Sequence, residues 1–150
     1  MKKYTQAEFD AIPVDEFGIK YCPTGDYTEI RRFGECCSFG ECCSFGAYCS
    51  FGEWCSFGAY CSFGKDCNCE FGQFVSILSA GGFGSCGRTT YFFLLSDGYI
   101  CVRCGCFAGT LDEWAAKVKQ THGDSQIAQA YLLLIPAIKA QFERGGFCNG

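Results

Sequence analysis

The sequence contains no long hydrophobic run. No stretch approaches the ~18 consecutive apolar residues of a membrane-spanning helix. No apolar run follows Lys2-Lys3 either, so the opening residues lack the pattern of a secretory signal. Basic residues are few: 12 Lys and Arg stand against 16 Asp and Glu, a net charge of −4. Nonspecific nucleic-acid binding needs basic surface, and this balance argues against it. Histidine occurs once, as His122. The expectation is a soluble, cytoplasmic chain with neither membrane nor nucleic acid among its partners.

Cysteine, by contrast, is abundant, with 15 residues. In a short chain that count normally signals a disulfide framework. The odd number, the missing signal and the placement of six cysteines at one fixed repeat position point instead to reduced thiols. A thiol packs as a small, slightly polar hydrophobe. The chain has 150 residues, 49% hydrophobic and only 19% charged, enough for one ordinary domain or two small ones with a buried core.

Residues 33 to 68 consist of six tandem hexads. They are Phe33-Gly-Glu-Cys-Cys-Ser38, Phe39-Gly-Glu-Cys-Cys-Ser44, Phe45-Gly-Ala-Tyr-Cys-Ser50, Phe51-Gly-Glu-Trp-Cys-Ser56, Phe57-Gly-Ala-Tyr-Cys-Ser62 and Phe63-Gly-Lys-Asp-Cys-Asn68. Phe71-Gly72 resembles a frayed seventh, delayed by Cys69-Glu70. A fixed period implies stacking. A period of six fits neither a helix nor a coiled coil, but does fit a short strand plus a corner. Gly after Phe suggests the turn. The invariant Phe and the fifth-position Cys should face inward, and the variable sites outward. The acids Glu35, Glu41, Glu53, Asp66 and Glu70, less Lys65, give residues 33–72 a charge of −4, equal to that of the whole chain.

This pattern resembles the hexapeptide of left-handed parallel β-helices, in which three hexads make one coil. The expected fold is therefore a β-solenoid, a short left-handed parallel β-helix of about two coils over 33–72. Residues 1–32 would cap it, and an α+β unit of three strands and two helices would follow over 73–150. Phe33 would stack on Phe51, Phe39 on Phe57 and Phe45 on Phe63. Cys37, Cys43 and Cys49 would align with Cys55, Cys61 and Cys67. A flat twelve-residue coil is the rival, with Cys37 opposite Cys43 in ladder disulfides. Open coil ends need caps or a second subunit, so a homo-oligomer is expected.

In the N-terminal segment, Thr5 can cap a short helix, and Tyr21 and Tyr27 suggest degenerate hexads. Further on, Val75–Ser79, Thr89–Leu95 and Tyr99–Cys104 read as strands, with a flexible loop over 80–87 and a tight turn at Ser96-Asp97-Gly98. Thr110-Leu-Asp-Glu113 is a capping box for a helix ending near His122-Gly123. Asp124 or Ser125 begins a second helix with an apolar stripe, kinked by Pro136 and ended by Gly145-Gly146.

Several residues are candidates for chemistry. Gly82-Phe-Gly-Ser-Cys-Gly87 has dinucleotide-fingerprint spacing, but a strand rather than a helix follows it. The narrower reading is an anion nest from Gly84, Ser85, Arg88 and Thr89, joined by Arg103; the ordinary alternative is a strand connection. Cys101, Cys104 and Cys106, with His122 or Cys86, are candidate zinc ligands, although alternation turns Cys101 away from Cys104. Buried thiols are the alternative. His122 would serve as base to Ser85, Cys104 or Cys106, or else simply close its helix. Tyr48, Trp54 and Tyr60 are outward aromatics able to anchor a partner or to pack internally.

The Cys-Ser-Phe-Gly array is followed by Gly84-Ser-Cys-Gly-Arg-Thr-Thr-Tyr-Phe-Phe, Asp97-Gly, Val102-Arg-Cys-Gly-Cys-Phe-Ala-Gly-Thr-Leu-Asp-Glu-Trp and Thr121-His. Together these motifs, spanning about residues 33 to 142, resemble a family of hexapeptide-repeat proteins from gut Firmicutes and their phages. The resemblance implies a mobile-element origin and supplies no activity. By analogy with small phage proteins it suggests a host factor as target. The leading expectation is a non-enzymatic binding protein for a host protein or a small anionic ligand, without cofactor. The competing classes are a small enzyme using Ser85 or Cys104/Cys106 with His122, an acidic DNA mimic, and a β-helix acyltransferase.

Overall fold

A computed structural model describes residues 1–84 and 87–144. The chain divides into two compact units, Met1–Gln73 and Phe74–Gly150.

The first unit opens with α1 (Gln6–Asp10), started by the expected Thr5 cap: Glu8 N–H donates to Thr5 Oγ1, and Thr5 N–H donates to the Glu8 carboxylate. Strands of two or three residues follow: β1 (Lys20–Cys22), β2 (Asp26–Tyr27), β3 (Cys37–Phe39), β4 (Ser44–Phe45), β5 (Ser56–Phe57), β6 (Ser62–Phe63) and β7 (Cys67–Cys69). The first six pair in parallel as two sheets, β1-β3-β5 and β2-β4-β6. Within the repeat the partners are eighteen residues apart: Ser38 with Ser56, Phe39 with Phe57, Ser44 with Ser62 and Phe45 with Phe63.

These sheets enclose a column of rings. Phe33 stacks on Phe51, Phe39 on Phe57 and Phe45 on Phe63, at centroid separations of 4.8, 5.6 and 5.1 Å. Within a level the rings meet edge to face: Phe33, Phe39 and Phe45 cross one another at 85 to 86°. Both arrangements set the positive edge or offset face of one ring against the negative face of the next, which flush stacking would not. Phe9, Tyr27 and Tyr4 continue the packing: Phe9 meets Phe33 edge-on, Tyr27 stacks on Phe45, and Tyr4 stacks on Tyr27. Tyr27 is buried, its hydroxyl donates to the Pro23 carbonyl, and burial pushes its ionisation upward.

The two-coil left-handed β-helix expected from the hexads is not what forms. The segment instead makes two separate three-stranded parallel sheets, each begun by a strand from residues 1–32. Along the third line, Arg32, Ser50 and Asn68 meet only as isolated bridges. The physical reason lies in the hexad. Ser-Phe is extended, but the residues after it bend, so strands cannot lengthen into continuous sheets. The eighteen-residue register also rules out the twelve-residue coil. Residues 1–32 belong to the first unit as strands: Tyr27 is in register with Phe45, whereas Cys22, not Tyr21, is in register with Phe39.

The glycines of the hexads have a different role from the one expected. The left-handed corner falls on the fourth residue, which is never glycine: Cys36, Cys42, Tyr48, Trp54, Tyr60 and Asp66 have φ from 56 to 63°. Each such residue costs about 1–2 kcal/mol of backbone strain. From the second hexad on, the glycine is required by proximity instead. A Cβ on Gly52 would lie 2.8 Å from Glu35 N, and one on Gly58 2.5 Å from Glu41 N, both backbone atoms that cannot yield.

The second unit forms an antiparallel sheet in the order β11-β10-β9-β8, from β8 (Gly72–Phe83), β9 (Arg88–Leu95), β10 (Ile100–Cys104) and β11 (Phe107–Thr110). Helices α2 (Leu111–His122) and α3 (Gln126–Arg144) follow. The three strands expected here are thus joined by a fourth, because Gly105 at φ 59° reverses the chain and lets Phe107 pair back onto Cys104. β8 also runs further than expected, through residues read as a loop. Phe92, Leu94 and Val102 bury one sheet face against Leu111, Trp114 and Val118 of α2 and Ala128, Tyr131 and Ile138 of α3. Among the described residues, no helix is long and apolar enough to cross a membrane.

Gly58→Ala should lower stability by about 3 kcal/mol through backbone overpacking. Gly34→Ala should cost only about 1 kcal/mol, since its Cβ meets nothing within 4 Å and only its φ of 72° opposes it. Chemical denaturation midpoints would separate the two. Tyr60 is 86% exposed. Tyr60→Asn should therefore stabilise the chain, by up to about 1 kcal/mol in the same assay, because Asn tolerates the left-handed region.

Candidate functional site

Alternation along β9 decides which of the expected ligand residues meet. Thr90, Phe92 and Leu94 face the helices, and Arg88 lies on that same face two residues before Thr90. Thr89 lies on the opposite face, as do Tyr91 and Phe93. Arg103 of β10 is there too, buried and over the rings of Tyr91 and Phe93 at 5.1 and 5.5 Å. The expected constellation therefore separates, with Arg88 on the helix side and Thr89 and Arg103 on the other. Gly84 ends beside Tyr131, whose hydroxyl occupies the space a Cβ would need. Ser85 and Cys86 lie outside the described residues, so the nest and any role of Ser85 as nucleophile cannot be placed. The flanks of that loop are strand, with Phe83 paired to Arg88.

On the helix side is a cavity of about 190 Å³ lined by Arg88, Cys104, Cys106, Phe107, Trp114, Lys117, Val118, Thr121, His122 and Tyr131. Its wall from α2 is one helical stripe: Trp114, Lys117, Val118, Thr121 and His122 follow the i, i+3, i+4, i+7, i+8 spacing. Trp114 and Val118 anchor the stripe in the core, and so place Lys117, Thr121 and His122 at the cavity. Across from it, Arg88 lies over the β10–β11 turn, where its guanidinium fills the space a Cβ on Gly105 would take. Tyr131 forms the floor, meeting Trp114 edge-on at 5.4 Å and the His122 ring at 6.1 Å.

The cavity is basic in an acidic chain. Arg88 and Lys117 carry fixed positive charge, and no Asp or Glu lines the space. Lys2 pairs with Glu8 and Lys3 with Glu29, whereas neither Arg88 nor Lys117 has a carboxylate partner among the described residues. The walls between the cations are aromatic and aliphatic.

Cys104, Cys106 and His122 line the same cavity without forming a dyad. Cys104 Sγ accepts from Thr90 Oγ1 at 3.2 Å and approaches the Tyr131 hydroxyl at 3.8 Å; neither thiol is hydrogen-bonded to His122. Cys101 is buried on the sheet face opposite Cys104. Among the described residues, no three His, Cys, Asp or Glu side chains are grouped to hold a metal.

The aromatic trio of the repeat does not form one surface. Backbone bonds from Cys36 to Glu53, Cys42 to Ala59 and Tyr48 to Lys65 put Trp54, Tyr60 and Tyr48 on three different corner lines. Lys65 covers the Tyr48 ring at 5.7 Å, Trp54 lines a groove of about 420 Å³ with Phe17 and Tyr21, and Tyr60 stands in solvent.

No family model, curated protein or solved structure matches the chain.

The wall stripe depends on how α2 begins. Thr110 Oγ1 accepts from Glu113 N–H, and Thr110 N–H donates to Glu113 Oε1 at 2.8 Å. That backbone bond holds the Glu113 carboxyl below the usual carboxylate range. A carboxyl with a lowered folded-state value stabilises above its unfolded value and loses that contribution as pH falls through the folded one. Thr110→Ala removes the cap hydroxyl and should cost about 1 kcal/mol at pH 7, but it keeps the backbone N–H that Glu113 accepts from. Glu113→Ala removes the carboxylate itself, so its deficit against wild type should narrow on acidification below the ordinary carboxylate range, as read by thermal unfolding at both pH values.

Proposed function

We propose that the second unit binds a small anionic molecule in the cavity between its sheet and α2. The observation that carries this reading is Arg88 and Lys117, without carboxylate partners among the described residues, facing one cavity beside His122 and Thr121. Both side chains are exposed, so neither needs a partner to be stable, but two uncompensated cations facing one cavity raise the local concentration of anions there. A carboxylate or phosphate supplies the countercharge, and Arg88 offers it a bidentate fork. Trp114, Tyr131 and Phe107 give the same ligand an apolar or aromatic body to rest on.

The volume sets the scale. At ~30 Å³ per water, 190 Å³ is the room of about six waters, below the ~300 Å³ where drug-sized pockets begin. The ligand is correspondingly small, of the order of a simple aromatic acid or a sugar phosphate. The reading is one of binding, carried by Arg88 and Lys117 rather than by Cys104, Cys106 or His122.

Benzoate and inorganic phosphate are suitable probes, titrated by calorimetry or by amide chemical shifts. Arg88→Ala and Lys117→Ala should each weaken capture by about tenfold or more, the worth of a charge-assisted hydrogen bond. Thr89→Ala, on the opposite sheet face, should leave it unchanged. Rising salt should weaken binding in the wild type. Equal capture by wild type and Arg88→Ala would refute the assignment.

A further inference from the structure

The first unit holds a second kind of chemistry, independent of the cavity. Three cysteine pairs stand across neighbouring parallel strands: Cys37 with Cys55, Cys43 with Cys61, and Cys49 with Cys67. Each pair immediately precedes two residues in register, Ser38 with Ser56, Ser44 with Ser62 and Ser50 with Asn68. Adjacent strands lie ~4.8 Å apart, inside the ~4.4–6.8 Å Cα range of a disulfide. The thiols of Cys49 and Cys67 are already 3.1 Å apart.

Solvent access distinguishes the pairs. Five of these six cysteines are buried; Cys61 alone is half-exposed. Its partner is fixed beside it: Ser62 N–H donates to the Cys43 carbonyl at 3.0 Å, and both thiols reach the Gly40 carbonyl, Cys43 at 3.2 Å and Cys61 at 3.5 Å. Gly58, three residues before Cys61, lies directly against the backbone of Gly40 and Glu41. The two strands therefore cannot slide or part without breaking that contact.

We propose that Cys61 and Cys43 form a dithiol site that reduces hydroperoxides, with Cys61 as the attacking sulfur and Cys43 as the resolving one. The electrostatics agree with these roles. Once Cys61 is ionised the Cys43 thiol can turn from the Gly40 carbonyl to the Cys61 sulfur, and that contact lowers the Cys61 ionisation. The same contact pushes Cys43 upward. In the buried pair, burial pushes Cys49 upward as well.

The chemistry balances in two steps. The Cys61 thiolate attacks one oxygen of the hydroperoxide, the O–O bond breaks, and the leaving oxygen departs with a proton as water or alcohol. Sulfur is oxidised by two electrons to the sulfenic acid. That removes the negative charge that held the Cys43 proton. Cys43 then loses its proton and attacks the Cys61 sulfur, the S–O bond breaks, and water leaves from a new Cys43–Cys61 disulfide. A low-molecular-weight thiol restores the pair by two exchanges and departs as its own disulfide.

The test uses the full, reduced chain. Iodoacetamide should alkylate Cys61 a few-fold faster at pH 7 than the more exposed Cys42 and Cys106, with a half-maximal rate below the ~8.5 of an ordinary thiol. One equivalent of hydrogen peroxide should yield a Cys43–Cys61 cross-link on peptide mapping, with Cys49 and Cys67 reduced until denaturant is added. Cys43→Ala should leave a sulfenic acid on Cys61 that dimedone traps; if that variant does not fold, the wild-type map decides alone. Alkylation of Cys42 or Cys106 ahead of Cys61, or a peroxide-induced disulfide at any other pair, would overturn the proposal.

Discussion

Backbone touches backbone at Gly52, Gly58 and Gly64, where a Cβ would fall within 2.8 Å of main-chain atoms eighteen residues earlier. That contact fixes the separation of the levels in the first unit. At strand distance the phenyl rings of successive levels meet face to face, and the three rings of a level can close edge to face around a common axis. Each buried Phe contributes about 2–3 kcal/mol, which offsets the strain of a non-glycine residue in the left-handed region once per hexad. The same spacing brings the fifth-position thiols into pairs. Core, corners and sulfur chemistry all follow from one close approach.

Much of this was legible from the period. Six-residue units imply a common axis, and the Phe33–Phe51, Phe39–Phe57 and Phe45–Phe63 stacks follow from counting eighteen. What counting could not supply was the extent of pairing. The extended stretch of a hexad is only two or three residues around Ser-Phe, so two short sheets and a line of single bridges form where a continuous β-helix was expected. The role of Gly was misread for a related reason. Glycine is ordinarily a conformational residue, and nothing in one strand's sequence reveals how near the next backbone lies. Residues 1–32 lack the hexad signature, yet Tyr27 takes the place of a Phe, since a buried ring with its hydroxyl on the Pro23 carbonyl meets the same packing demand.

In the second unit the sequence pointed to the right arginine for partly the wrong reason. Arg88 was singled out by its glycine-rich neighbours, whereas strand alternation and the turn at Gly105 are what aim it. Arg103 carries the same charge fifteen positions on but faces the opposite way, its guanidinium lying over ring faces. Lys117 and Tyr131 were missed. The signal for Lys117 was present: it sits between Trp114 and Val118 on the stripe that ends at His122. Tyr131 belongs to an apolar stripe, and only packing shows that its hydroxyl reaches Cys104 and Gly84.

The constant interval between paired strands also bears on how the first unit assembles. Every repeat pairing closes a loop of the same length, so the entropy of closure is the same at each level. No level has a topological advantage, and none waits for a distant part of the chain. A polypeptide emerging from the ribosome could complete one level each time about eighteen more residues appear, adding rings to a template already formed. Folding of this unit is then an act of addition, paced by synthesis, with low contact order and only two- or three-residue strand edges open at any moment.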